Sequence, residues 1–159
     1  MKKEVQILIC LLLATVMMSC ATQQQREERA AYVQEAVAKR HWRIDVASMS
    51  TMRYGSRTVT PDFFLELRGD TLRSYLPYLG DSHRAPMSSP PQGLNFEAPI
   101  LSYRMNDKKA KGSEMVIDVK TREDSYCYRI ELFDTGHAYI HVQSQHSDPI
   151  SFDGCIEEQ

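Results

Sequence analysis

The sequence predicts an α+β domain that is mainly antiparallel β, with one N-terminal helix packed on a curved or partly closed sheet of 7–8 short strands. Three observations carry that reading. Beyond residue 42, apolar residues recur at every second position in one stretch after another. Turn-forming residues separate those stretches, and a single segment, residues 26–41, shows a helical repeat. A chain of 159 residues, 42% hydrophobic and 25% charged, fits one modest domain. Its formal net charge of −2 lacks the basic excess of a protein that holds nucleic acid by charge, so no nucleic-acid partner is expected.

The chain opens on Met1-Lys2-Lys3, followed by an apolar run from Ile7 to Met18 broken only by Thr15, then Ser19-Cys20. A basic start, a short apolar core and a small residue before a cut site make a secretory signal over residues 1–19, too short for a spanning helix. Met17-Met18-Ser19-Cys20 resembles the lipobox of bacterial lipoproteins. That resemblance implies cleavage after Ser19, a diacylglyceryl thioether on Cys20 and N-acylation with palmitate-class chains. Several acyl chains on one residue anchor firmly, at ~0.8 kcal/mol per buried CH₂. Residues 20–28 then read as lipidated cysteine and tether, and 29–159 as one globular domain. The expected location is the cell envelope, most simply the periplasmic face of the outer membrane, with the cell surface as the alternative.

In the predicted helix, Ala30, Val33 and Val37 fall on one stripe, with no Gly or Pro to interrupt. The period then changes to two. Trp42, Ile44 and Val46 form the first inward set. Phe63, Leu65 and Leu67 follow, then a Gly69-Asp70 turn, then Leu72, Ser74 and Leu76. Leu101, Tyr103 and Met105 lead into a basic turn from Asn106 to Gly112, and Met115, Ile117 and Val119 come next. Tyr128, Ile130 and Leu132 precede Ala138, Ile140 and Val142, and Ile150 with Phe152 close the series.

Asp134-Thr135-Gly136 fixes one register. Pairing Ile130 with Ile140 leaves a three-residue loop, 134–136, suited to a type I turn closed by a left-handed glycine. If the last strand continues the meander with Ile150 opposite Ser144, Cys155 stands level with Tyr139 and Cys127 with Gln143. Those cysteines would be on the order of 16 Å apart by strand spacing, against the ~5.5 Å a disulfide needs. Cys10 leaves with the signal and Cys20 is committed to lipid, so the expectation is two unbridged thiols.

Residues 80–97 break the rhythm, with Pro86, Pro90, Pro91 and Gly93 and no periodicity. A loop this long in a small domain is either functional, packed as an Ω-loop, or equally a structural cover over a sheet edge. Leu76-Pro77-Tyr78-Leu79-Gly80, Gly93-Leu94-Asn95-Phe96 and the closing Ile150-Ser151-Phe152-Asp153-Gly154, with Gly69-Asp70-Thr71-Leu72 and the lipobox, resemble the domain-of-unknown-function 4251 family of small bacterial lipoproteins. The resemblance covers roughly residues 30–156. It implies an exported protein and brings no activity, so no catalytic residue is carried over.

Other motifs read as structure. Asp134-Thr135-Gly136 spells the aspartic-protease triplet, yet that chemistry needs two such carboxylates and the chain has one copy. His137 and His141 on a strand lie ~13 Å apart, too far for one ion, and His146 adds no ligand set. No metal and no cofactor is expected. Tyr75, Tyr78, Phe96 and Tyr103, with His83 and Arg84, are the candidate binding surface beside the long loop, and the competing reading, which aromatics in a small sheet favour, is that the four rings fill its core. The leading reading is a non-enzymatic binding or assembly module contacting an envelope protein or glycan through loop 80–97. A hydrolase of envelope glycans or peptides, using His83 with Asp70 or Asp81, is the alternative, and a purely structural envelope protein the third.

Overall fold

The computed structural model describes residues 23–78, 94–108 and 112–157. A helix, α1, occupies residues 23–38, beginning before the sequence reading placed it and ending three residues earlier. Of the predicted stripe, Val33 and Val37 are buried in the core and Ala30 is partly exposed, while Ala36, which the stripe did not include, is buried beside them. The helix stops where Arg40 takes a left-handed φ of 50° and its N–H donates to the Val37 carbonyl. That stop turns the chain directly into the first strand.

Nine strands follow: β1 His41–Thr51, β2 Gly55–Thr58, β3 Phe64–Arg68, β4 Thr71–Leu76, β5 Leu94–Lys108, β6 Gly112–Lys120, β7 Ser125–Phe133, β8 His137–Ser144 and β9 Ile150–Ile156. All pairs are antiparallel, and β1 pairs with both β3 and β9. Eight strands therefore close into a barrel, with β2 as an additional strand on the far half of β1. Closure removes the exposed edges that an open meander would leave. One of the closing contacts depends on a glycine. Gly154 faces Val46 at a bulge between Val46 and Ser48, and a Cβ there would sit 2.2 Å from the Asp45 carbonyl oxygen.

The inward sets fill the barrel. Trp42, Ile44, Leu65, Leu67, Leu72, Met115, Ile117, Tyr128, Ile130, Ile140 and Phe152 are all essentially inaccessible. The β7–β8 register matches Ile130 with Ile140, and Gly136 closes the 134–136 loop with a φ of 82° and an N–H bond to the Phe133 carbonyl.

Three expectations are corrected. Leu101 is not inward but 68% exposed, because a bulge between Ile100 and Ser102 shifts the parity of β5. The inward residues before it are Leu94, Phe96, Ala98 and Ile100, so residues 94–97 belong to strand rather than to loop 80–97. Ile150 faces Val142, not Ser144, and Cys155 faces His137, not Tyr139. The turn between β8 and β9 consumes Ser144, whose Oγ accepts the N–H groups of His146 and Ser147. The shift carries Cys127 and Cys155 further apart, and both are free thiols.

The helix defines one end of the barrel. Arg29 Nη2 donates to the Ile156 carbonyl and Tyr32 Oη to that of Glu157, while the Arg29 side chain lies against Gly136. The start of β1, the end of β9 and the β3–β4 and β7–β8 turns gather there. The opposite end carries residues 121–124 and 145–149 and the flanks of segment 79–93.

Candidate functional site

At the end opposite α1, the inward positions of β4 and β7 lead out to Tyr78 and Tyr126, and on β5 Phe96 lies one inward step below Leu94. Phe96 stacks on Tyr126 with ring centroids 5.2 Å apart and meets the edge of Tyr128 at 6.3 Å. Tyr126 and Tyr128 stand 6.4 Å apart. Below them the fully buried Tyr128 hydroxyl donates to Ser74 Oγ at 3.1 Å. Tyr78, just past β4, is half-buried against the same core and donates to the Asp148 carbonyl at 3.3 Å. Burial, reinforced by the nearby Asp124 and Glu123, pushes the Tyr126 hydroxyl up to about 12. Burial drives that of Tyr128 still higher.

Two loops on this rim are locked together. His146 Nδ1 lies 2.9 Å from Asp124 Oδ1, and the His146 N–H donates to Asp124 Oδ2 at 3.3 Å. Ser125 N–H donates to the same carboxylate at 2.7 Å. Burial works against the charged form of Asp124, but the hydrogen bonds from His146, Ser125 and Ser144 outweigh it and hold its pKa below the usual range. An Asp–His pair suggests hydrolase chemistry. Among the described residues, however, no serine or cysteine side chain hydrogen-bonds the His146 ring. Ser144 stands on the aspartate side as an acceptor for backbone N–H groups. The arrangement fastens the 121–124 turn to the 145–149 turn.

The sequence-selected residues divide among three places. Tyr78 and Phe96 share the end opposite α1. Tyr103 lies beneath Arg40 at the end of α1, with the guanidinium 4.4 Å from its ring. Tyr75 points outward from β4, 41% exposed, and stacks on Phe63 at 5.4 Å. His83 and Arg84 lie outside the described residues, as does Asp81. Asp70 sits in the β3–β4 turn at the helix end, paired with Arg40 at 3.0 Å and away from Tyr78 and Phe96. Among the described residues no group of three or more His, Cys, Asp or Glu is placed to hold a metal ion. His137 is opposite Cys155, and His141 bonds Ser151 on the outer surface.

Sequence reasoning missed Tyr126. The signal was present, since Tyr126 continues the alternation of Tyr128, Ile130 and Leu132 by one step. It also missed Glu66, an outward residue of β3 with only 3% of its side chain exposed. Arg68 Nη2 donates to its Oε1 at 2.7 Å, Arg73 Nη1 stands 3.8 Å from Oε2, and Oε2 is buried without a hydrogen bond.

The family model of a domain of unknown function, DUF4251, matches residues 24–156. Among solved structures, the chain is similar to the crystal structure of a DUF4251 family protein from Bacteroides eggerthii, determined at 1.95 Å resolution. The TM-score is 0.63 at 10% sequence identity, over 80% of this chain and 86% of that one. At that identity the likeness is one of fold. No curated protein matches the chain.

Proposed function

Because the chain belongs to the DUF4251 family, whose description assigns no activity, we propose from its own residues that it is a lipid-anchored envelope protein whose binding surface is the end of the barrel opposite α1. The single observation that carries this is the aromatic cluster of Tyr78, Phe96 and Tyr126 at the end opposite α1. Barrel mouths are common ligand sites, and aromatic rings there offer contact area at low entropy cost. The anchor enters through the helix end, because the lipobox-like Cys20 lies just before α1. A tether at one end leaves the aromatic rim facing away from the bilayer. The partner is an envelope protein or glycan, contacted by the rim together with the 80–97 segment. The periplasmic face of the outer membrane is the proposed site of action, with cell-surface display as the alternative.

Two experiments test this reading. Metabolic labelling with an alkynyl fatty acid marks the wild-type chain, and Cys20→Ala abolishes the label. Labelling that survives Cys20→Ala would remove the anchor. Crosslinking in intact cells captures a partner that Tyr78→Ala and Phe96→Ala lose while the barrel still folds. Unchanged capture by both folded variants would remove the rim as the contact surface.

A further inference from the structure

Closure of the barrel does not reach the far half of β5. Residues 94–99 pair with β4 and residues 100–108 with β6, and on the β4 side the last bond is that of the Ile100 N–H to the Asp70 carbonyl. Among the described residues, nothing pairs with β5 on that side beyond Ile100. Side-chain facing and N–H direction alternate together along a strand. Ile100 is inward with its N–H toward the β4 side, and Tyr103 and Met105, opposite the buried Ile117 and Met115, are inward as well. Their N–H and carbonyl groups therefore point to the free edge, whereas those of Ser102, Arg104 and Asn106 serve β6. Apolar side chains flank this edge, with Leu101 68% and Met105 47% exposed. An uncovered edge of this length is a template for another strand.

We propose that its occupant is the same edge of a second copy, paired antiparallel about a two-fold axis through Met105, so that two chains form a dimer. Sterics and charge select that register. With Tyr103 or Arg104 on the axis, the strand end at Lys108 runs onto partner positions that β4 or the Asp70 carbonyl already occupies. Arg104 on the axis also sets two arginines face to face, Asn106 there sets Arg104 against Lys108, and Asp107 there sets two aspartates together, all destabilising. Met105 on the axis avoids each of these conflicts. Arg104 then faces the partner's Asn106, Tyr103 the partner's Asp107 and Ser102 the partner's Lys108. The charges complement one another. Position 108, a lysine, comes next to the row of Asp118, which accepts from Ser102 Oγ. Position 107, an aspartate, comes next to Arg40, whose guanidinium lies 4.4 Å from the Tyr103 ring centroid and also holds Asp70. The Met105 pair and the two Tyr103–Asp107 pairs each exchange both backbone bonds, about six in all. This surface belongs to the helix end of β5 and does not rest on the opposite end as a binding site.

Two cysteine variants of the full-length chain, each in a Cys155→Ser background, test the register. Arg104→Cys and Asn106→Cys stand opposite each other across the axis in a non-hydrogen-bonded pair, with Cα atoms about 4.5 Å apart and within disulfide reach. Co-expressed, they form a disulfide-linked dimer, while each expressed alone stays unlinked. Met105→Lys, on the exposed edge, sets two cations on the axis and weakens dimerisation at least about tenfold by sedimentation in detergent, with the circular dichroism of the wild type. A wild type that is monomeric at micromolar concentration, an unchanged dimer in folded Met105→Lys, or no disulfide in the co-expressed pair would each overturn the proposal. Crosslinking of Arg104→Cys alone or of Asn106→Cys alone would overturn the register, and a disulfide from these positions to a different protein would overturn the second copy as occupant.

Discussion

The Tyr128 hydroxyl reaches across the barrel interior from β7 to β4 and donates to Ser74 Oγ at 3.1 Å, with both residues buried. Removing either partner strands the other in an apolar core. Tyr128→Phe and Ser74→Ala should each cost about 1–3 kcal/mol, while the double variant should cost much less than their sum. A double-mutant cycle by urea denaturation reads that coupling directly, and strict additivity would mean that the bond contributes nothing.

Gly154→Ala tests barrel closure. A methyl group 2.2 Å from the Asp45 carbonyl must push β9 away from β1, since the neighbour is backbone. The expected loss is about 3 kcal/mol, the upper end of the usual cost of overpacking. Gly55→Ala is the control: its Cβ meets nothing within 4 Å, and only its left-handed φ of 69° is penalised. That change should cost about 1 kcal/mol. Equal thermal shifts in the two variants would contradict the closure argument.

Acid stability should follow Asp118. The hydrogen bond from Ser102 Oγ, at 2.5 Å, chiefly holds its pKa below the ordinary 3.8, with burial opposing and Cys127 and Arg104 assisting. A depressed folded pKa contributes stability that is full above the unfolded value and lost as pH falls through the folded one. Urea midpoints should therefore fall from pH 5 toward pH 2.5 in the wild type and fall less steeply in Asp118→Asn. Parallel curves would show that the carboxylate is not linked to folding.

At the alkaline end the sign reverses. The raised Tyr126 pKa, about 12, means stability is complete below pH 10 and declines as pH climbs toward 12. Phenolate absorbance of the folded protein should show Tyr126 ionising late, toward pH 12, and Tyr128 later still. Phenylalanine at either position should remove one late-titrating group. Smooth titration of all eight tyrosines near pH 10 would contradict their burial.

Most of the barrel was legible because its wall has one wet and one dry face, so period two survives in the chain. The sets led by Trp42, Met115 and Tyr128 needed nothing more. What was hidden depended on contacts between distant segments. Pro90, Pro91 and Gly93 just ahead made the start of β5 look like loop, although Leu94, Phe96, Ala98 and Ile100 alternate inward along it. β2 is wholly exposed and so has no apolar pattern to read. Glu66 is buried by arginines from its own and neighbouring strands, which no local pattern reveals. For the site, Tyr78 and Phe96 were found together, whereas Tyr75 and Tyr103 were nearby in sequence and separated by the pleat and by the barrel's length.

The most direct test of the central claim is photo-crosslinking in intact cells from two rim positions. One probe replaces exposed Glu123 near Tyr126 at the end opposite α1, and the other replaces Asp134 in the β7–β8 turn at the helix end. The account predicts a specific crosslinked partner from position 123 and none from position 134. A partner captured from 134 alone would place the working surface at the wrong end of the barrel and contradict it.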